Sequence, residues 1–143
     1  MKLSLLLFPL ISLMILFSVP GCKNKSKNTQ QSDGEKIEQT KGELKFFNEI
    51  RTFYNIPDDT IITSVFRFRN IGEDTVKIID YSVTCGCTYA YISDSLVCPK
   101  EEGSFTMVVN TRGKGSGLKT IVAVLVTNGK KKHYKLETKL FMK

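Results

Sequence analysis

Ile61-Ile62-Thr63-Ser64-Val65-Phe66-Arg67-Phe68-Arg69-Asn70 is the stretch on which the fold turns. Ile62, Phe66 and Phe68 share one parity, and Arg67 and Arg69 hold the other. A strand sends successive side chains to opposite faces, so this alternation predicts a strand with one face in an apolar core and the other in water. Asn70-Ile71-Gly72-Glu73-Asp74 ends it with turn-forming residues.

The same texture extends in both directions. Upstream, Leu44, Phe46 and Phe47 open a short strand, Thr52-Phe53-Tyr54 forms another, and Pro57-Asp58-Asp59 is a turn cluster. Downstream, Thr75 to Val83 starts with Val76 and Ile78 on one parity and finishes with Ile79, Tyr81 and Val83 on the other, which predicts a bulge near Ile79-Asp80. Tyr89 to Ile92 is short and apolar, and Leu96-Val97-Cys98 runs into Pro99 and the turn Lys100-Glu101-Glu102-Gly103. Phe105, Met107 and Val109 alternate along a further strand.

Thr111 to Gly117 reads TRGKGSG; it lacks the spacing of a phosphate-binding loop and is expected to be a flexible connection. Lys119 to Thr127 is apolar on both parities and should be a central strand. Asn128-Gly129 predicts a type I′ hairpin turn. The last strand returns with Tyr134, Leu136 and Leu140 inward and His133, Lys135, Glu137 and Lys139 outward.

No segment after the leading apolar run carries a helical period. About seven short antiparallel strands between residues 43 and 143 predict an all-β fold, an immunoglobulin-like β-sandwich. The chain has no Trp, so the antibody Cys–Trp–Cys framework is absent and two apolar inner faces must hold the sheets together.

Residues 1–21 read as a secretory signal: Lys2, then an apolar run from Leu3 to Val19, then the small residue Gly21. The alternative is an uncleaved membrane anchor, although Pro9 interrupts the run. Val19-Pro20-Gly21-Cys22 resembles the lipobox of bacterial lipoprotein signals, departing from it at Pro20. The resemblance implies that Cys22 is lipidated and becomes the first mature residue. Its partner would then be a lipid bilayer, with each buried methylene contributing about 0.8 kcal/mol and two or more chains giving stable anchoring. Residues 22–42 have Ile37 as their sole aliphatic residue after Cys22 and read as a disordered tether with ends about 25 Å apart.

Charge narrows the classes of partner. Of 21 Lys and Arg and 14 Asp and Glu, six cations and three anions precede residue 43, so the domain carries 15 against 11, or +4. That balance, with export, argues against a nucleic-acid surface. The early lysines can lie on anionic headgroups or solvate a tether. Lys130-Lys131-Lys132 protects a sheet edge or meets an acidic partner.

Phe66-x-Phe68-x-Asn70-x-Gly72, Val76-x-Ile78, Cys85-Gly86-Cys87-Thr88 and Pro99-x-Glu101-x-Gly103, with Lys119-Thr120-Ile121 and Thr127-Asn128, resemble the bacterial family known as domain of unknown function fifteen-seventy-three. The resemblance spans Leu44 to Lys143 and implies an exported immunoglobulin-like domain of the Hydin type, often on lipoproteins, with no established activity. The chain departs from the family at Cys98, where a small or apolar residue is usual, and at Lys100, where Gly is common.

Cys85 and Cys87 stand on one side of an extended chain, with Cα atoms near the ~6.8 Å limit for a disulfide unless Gly86 permits a kink. Four readings stay open: a structural disulfide from Cys98 to Cys85 or Cys87, inert buried thiols, a soft-metal site in which Cys85, Cys87 and Cys98 hold copper, and thiol exchange. The C-x-C spacing is not the C-x-x-C of thiol oxidoreductases. The favoured site has no metal or other cofactor. No nucleophile–base pair or carboxylate pair stands in a recognisable context. The expected function is therefore a non-enzymatic binding or scaffolding module that meets an unidentified envelope protein. Lys23-Asn24-Lys25-Ser26 has no acidic residue of the kind that marks surface export in lipoproteins, which points to the outer membrane, facing the periplasm.

Overall fold

The computed structural model describes residues 38–143. The segment read as a signal, Cys22, and the stretch up to residue 37 read as a tether lie outside the described residues. Among the described residues there are nine strands: β1 (Leu44–Phe46), β2 (Ile50–Ile56), β3 (Ile61–Asn70), β4 (Val76–Val83), β5 (Thr88–Ile92), β6 (Leu96–Val97), β7 (Glu102–Asn110), β8 (Gly117–Thr127) and β9 (His133–Met142). They form a four-stranded sheet in the order β1-β3-β7-β5 and a five-stranded sheet in the order β2-β9-β8-β4-β6. The count exceeds seven because the short β5 and β6 both pair. One pairing departs from the antiparallel expectation: β2 runs parallel to β9, with Ile50 opposite Glu137 and Phe53 opposite Leu140.

The alternation read from Ile61–Asn70 is realised. Ser64, Phe66, Phe68 and Asn70 are buried, while Val65, Arg67 and Arg69 face out. Phe66, Phe68, Phe105, Met107 and Val109 from one sheet meet Ile121, Ala123, Leu125, Leu136 and Leu140 from the other. β8 is central, flanked by β9 and β4. The bulge falls where the parity switch put it, with the β4–β8 register shifting between Ile78 and Asp80.

Two buried polar groups link the layers. Thr138 Oγ1 donates to Ser64 Oγ at 2.9 Å, with both residues fully enclosed. Thr138→Val leaves the serine hydroxyl without that partner and is expected to cost about 1–2 kcal/mol. The double change Thr138→Val, Ser64→Ala removes both polar groups and should lie closer to wild type, read from urea-unfolding midpoints. Tyr134 supplies a second tie, its hydroxyl oxygen accepting the Leu44 N–H at 3.0 Å. Burial pushes the Tyr134 phenol above its ordinary range, against the pull of that hydrogen bond.

Three local expectations are corrected. Asn128-Gly129 forms no type I′ turn: β8 ends at Thr127, β9 begins at His133, and Thr127 N–H donates to Lys132 O at 2.8 Å across the longer loop. Gly129 does not take positive φ. A Cβ there would lie 2.7 Å from the Gly42 carbonyl oxygen, so close backbone approach is what requires glycine. The tether joins the domain before residue 43, because Thr40 N–H donates to Asn128 O at 2.8 Å and Lys41 N–H to Asp74 Oδ2 at 2.9 Å. The segment expected as a loose connection, Thr111 to Gly117, is a tied loop that runs into β8 at Gly117: Thr111 is fully buried, Thr60 N–H donates to its Oγ1 at 2.8 Å, and Gly113 N–H donates to Asp58 Oδ2 at 3.2 Å.

Lys100 sits at φ 70°, the left-handed region that favours glycine, which gives a physical reason for the Gly common at that turn in the family resembled.

Candidate functional site

The chain leaves β4 at Val83 and must cross from the five-stranded to the four-stranded sheet before β5 begins at Thr88. Thr84 anchors the departure, its N–H donating to Val122 O at 2.9 Å and its Oγ1 accepting from Val122 N–H at 3.0 Å. Cys85-Gly86-Cys87-Thr88 then turns sharply, closed by Thr88 N–H to Cys85 O at 3.1 Å. Asn110 N–H donates to Cys87 O at 3.0 Å and delivers the chain to the edge of the second sheet.

This turn brings the Cα atoms of Cys85 and Cys87 to 5.1 Å, and their sulfurs are bonded to each other. The expected bridge from Cys98 to one of these residues is therefore corrected. The turn supplies a proximity that an extended strand would not. Gly86 does so without positive φ, and a Cβ there would meet none of the described residues within 4 Å, so among these residues the apex of the turn is open. Cys98 is buried at the end of β6, with its N–H donating to Glu101 Oε2 at 3.1 Å and Thr75 Oγ1 lying 3.8 Å from its sulfur. The copper alternative needs Cys85, Cys87 and Cys98 as thiolates; two of them are brought together, and those two are bonded to one another.

As a staple this bridge does little. It ties a turn to itself. On the chain-entropy account, closing a three-residue loop contributes about 1.5 kcal/mol, against about 3 for a fifteen-residue loop.

The sulfurs are only part-buried, and a cation lies on them. Lys114 Nζ is 2.8 Å from Cys87 Sγ and 3.3 Å from Cys85 Sγ. Gly113 and Gly115, on either side of Lys114, take φ of 71° and 65°. Lys114 N–H donates to Thr111 O at 3.1 Å, so the shaped loop aims the side chain back at the turn. Cys87 N–H donates to Cys85 Sγ at 3.2 Å, and Cys87 Sγ lies 3.6 Å from Thr88 Oγ1. Sequence reasoning missed Lys114. The available signal was a lysine between two glycines in a segment with nothing apolar to bury.

Beside the bridge is an open groove lined by Ile61, Cys87, Tyr89, Val108 and Asn110. It continues onto the outward face of the four-stranded sheet, which carries exposed apolar and aromatic side chains among polar ones such as Thr63, Arg67 and Arg69. Ile61 is 59% exposed, Tyr89 69% and Tyr91 44%. The two tyrosine rings lie 5.8 Å apart. His133 is exposed on the polar parity of β9, as read. At the basic hairpin tip, Lys131 Nζ pairs with Glu49 at 3.6 Å and lies 4.7 Å from the centre of the Tyr134 ring.

Residues 44–141 match the family model described as "Protein of unknown function (DUF1573)". No curated protein matches the sequence. Among solved structures, a protein of unknown function from Porphyromonas gingivalis W83 superposes with TM-score 0.61 at 11% identity, covering 73% of this chain and 48% of that one. The secreted serine protease VesC from Vibrio cholerae superposes with TM-score 0.53 at 10% identity, covering 69% of this chain and 23% of that one. The PapD-like domain 7 of human CEP192 gives TM-score 0.47 at 13% identity, covering 85% of this chain and 98% of that domain. The chain thus spans about half the length of the first of these proteins and about a quarter of the second. At these identities the first two likenesses are ones of fold.

Proposed function

The chain belongs to the family described as "Protein of unknown function (DUF1573)", a description that carries no activity, and we propose from its own residues that it is a non-enzymatic binding module, lipid-anchored at the cell envelope through Cys22, that docks a partner protein. The observation that carries this reading is a set of exposed aromatic and aliphatic side chains on the outward face of the four-stranded sheet, Tyr89 and Tyr91 on edge strand β5 and Ile61 and Val65 on β3, with β7 between them. A solvated sheet face normally alternates to polar residues, and exposed apolar patches with tyrosines are characteristic of interaction surfaces. The anchoring rests on the Gly21-Cys22 lipobox resemblance, and the periplasmic outer-membrane location on the absence of acidic residues directly after Cys22.

The test uses the tagged full chain, cross-linked in cells. Wild type should repeatedly recover the same envelope protein, and Tyr89→Ala with Tyr91→Ala should lose it, since buried interface tyrosines commonly contribute about 2 kcal/mol each. Equal recovery by the folded double variant, or recovery of lipoprotein-processing machinery alone, would refute the reading. Cys22→Ser should move the protein from the membrane to the soluble fraction; continued membrane retention refutes the anchor.

A further inference from the structure

We propose that Cys85–Cys87 is a thiol–disulfide exchange site that accepts two electrons from a dithiol, with Lys114 placed to hold the thiolates that result. The proposal goes beyond the binding reading and does not depend on it, because its readout is the chemical state of the sulfurs.

Three features of the site point the same way. The bridge closes a single turn and joins no two strands, so the fold does not depend on it for cross-linking. Among the described residues its apex is bare at Gly86, and Cys87 lines an open groove, so an external sulfur has a path to it. The third is the lysine. A neutral disulfide gains little from an ammonium group, whereas a thiolate gains a charge-assisted contact and a lowered pKa. Lys114 Nζ touches both sulfurs, at 2.8 and 3.3 Å, so it is positioned for the reduced pair. Solvent access is what distinguishes labile disulfides from structural ones, and these sulfurs are part-exposed.

The geometry also assigns the order of events. Cys87, and not Cys85, lines the groove, so the incoming thiolate attacks Cys87 Sγ. The S–S bond breaks and Cys85 leaves as a thiolate, held by the Cys87 N–H at 3.2 Å and by Lys114. A mixed disulfide now joins Cys87 to the dithiol. The dithiol's second thiolate attacks its own bonded sulfur, forming the substrate's internal disulfide and expelling Cys87 as a thiolate beside Lys114. The dithiol is oxidised by two electrons, the cysteine pair is reduced by two, and the two protons lost by the substrate pass to the cysteine thiolates or to water.

The experiment uses the purified full chain in detergent. Glutathione, a monothiol probe, has no second thiol to close on itself, so a rapid quench and alkylation before a second glutathione reacts traps the mixed disulfide, and peptide mass mapping reads which sulfur carries it. Glutathione on Cys87 with Cys85 alkylated is the expected result. Glutathione on Cys85, or a bridge that stays closed while a model disulfide in the same tube is reduced, overturns the proposal. Dithiothreitol, the dithiol probe, should then open the bridge and be recovered as its cyclic disulfide. In Lys114→Met, alkylation of the reduced pair at neutral pH should slow about ten-fold, the equivalent of one pKa unit. Lys114→Arg should recover most of that rate. Lys114 lies in a loop, and an unchanged circular dichroism spectrum separates this chemistry from misfolding. An unchanged alkylation rate in folded Lys114→Met overturns the role of the lysine.

Discussion

Asn70→Ala is expected to lower the unfolding free energy by about 3–5 kcal/mol, a large share of what a domain this size possesses. The side chain is fully buried and makes four hydrogen bonds to backbone. Its Nδ2 donates to Asp74 O and to Val97 O, each at 2.8 Å. Its Oδ1 accepts from Gly72 N–H at 2.9 Å and from Glu43 N–H at 3.2 Å. One amide thus fastens the turn after β3, the entrance to β1 and the end of β6. Alanine leaves two carbonyls and two N–H groups without that partner; the Val97 carbonyl contact is buried and the other three are part-buried, and a buried group left so costs about 1–3 kcal/mol before relaxation. Asn70→Asp sharpens the test. At neutral pH a carboxylate donates nothing to the two carbonyls and carries a buried charge, so this variant should be at least as unstable as alanine. Its carboxyl pKa is then raised in the folded state, and stability should rise as pH falls through that value, because the protonated acid regains one donor. A loss under 1 kcal/mol in Asn70→Ala, or no relief of Asn70→Asp in acid, would show that the four contacts do not act as a clamp.

Asn70 also shows where sequence reading stops. Its place at the end of an alternating strand identified it as a turn residue, which it is. Nothing local announces that backbone from residues 43, 74 and 97 converges on its amide. The core was legible because parity is a local property: Phe66 and Phe68, or Tyr134, Leu136 and Leu140, declare their face without reference to a partner. Pairing partners are not local. Thr52-Phe53-Tyr54 could be read as a strand, but its parallel seat beside β9 could not. The candidate site divides in the same way. Cys85 and Cys87 stand out in the sequence, yet their bond depends on a turn that carries the chain between sheets. Lys114, 27 residues after Cys87, reaches the sulfurs through a loop whose shape comes from positive-φ glycines and buried Thr111. Gly129 failed as a turn signal for a related reason: glycine marks either an unusual φ or a close neighbour, and only the folded chain shows the Gly42 carbonyl against it.

Phe68→Ala should cost about 3–5 kcal/mol, through lost apolar burial and the cavity left behind. Its ring is fully enclosed. Phe68 stands 5.1 Å from the Phe46 ring, and Phe46 stands 5.3 Å from Tyr134, so the three rings run from β3 through β1 to β9 and connect the two sheets. Gly103 is the cross-strand partner of Phe68, and the ring lies over it: a Cβ at 103 would be 2.6 Å from Cε2 and 2.7 Å from Cζ. The ring cannot retreat, because Phe46 and the opposite sheet hold its other side. Gly103→Ala should therefore cost about 1–3 kcal/mol by overpacking, although alanine elsewhere in a strand is preferred to glycine. The two positions are coupled. Phe68→Leu shortens the side chain that occupies the space above residue 103, so the Phe68→Leu, Gly103→Ala pair should be more stable than the sum of its single changes by about 1 kcal/mol. Urea midpoints at constant m-value measure all four variants. Strict additivity would mean that Gly103 is required by something other than the ring above it, and a Phe68→Ala loss below about 1 kcal/mol would mean that the aromatic chain does not hold the sheets together.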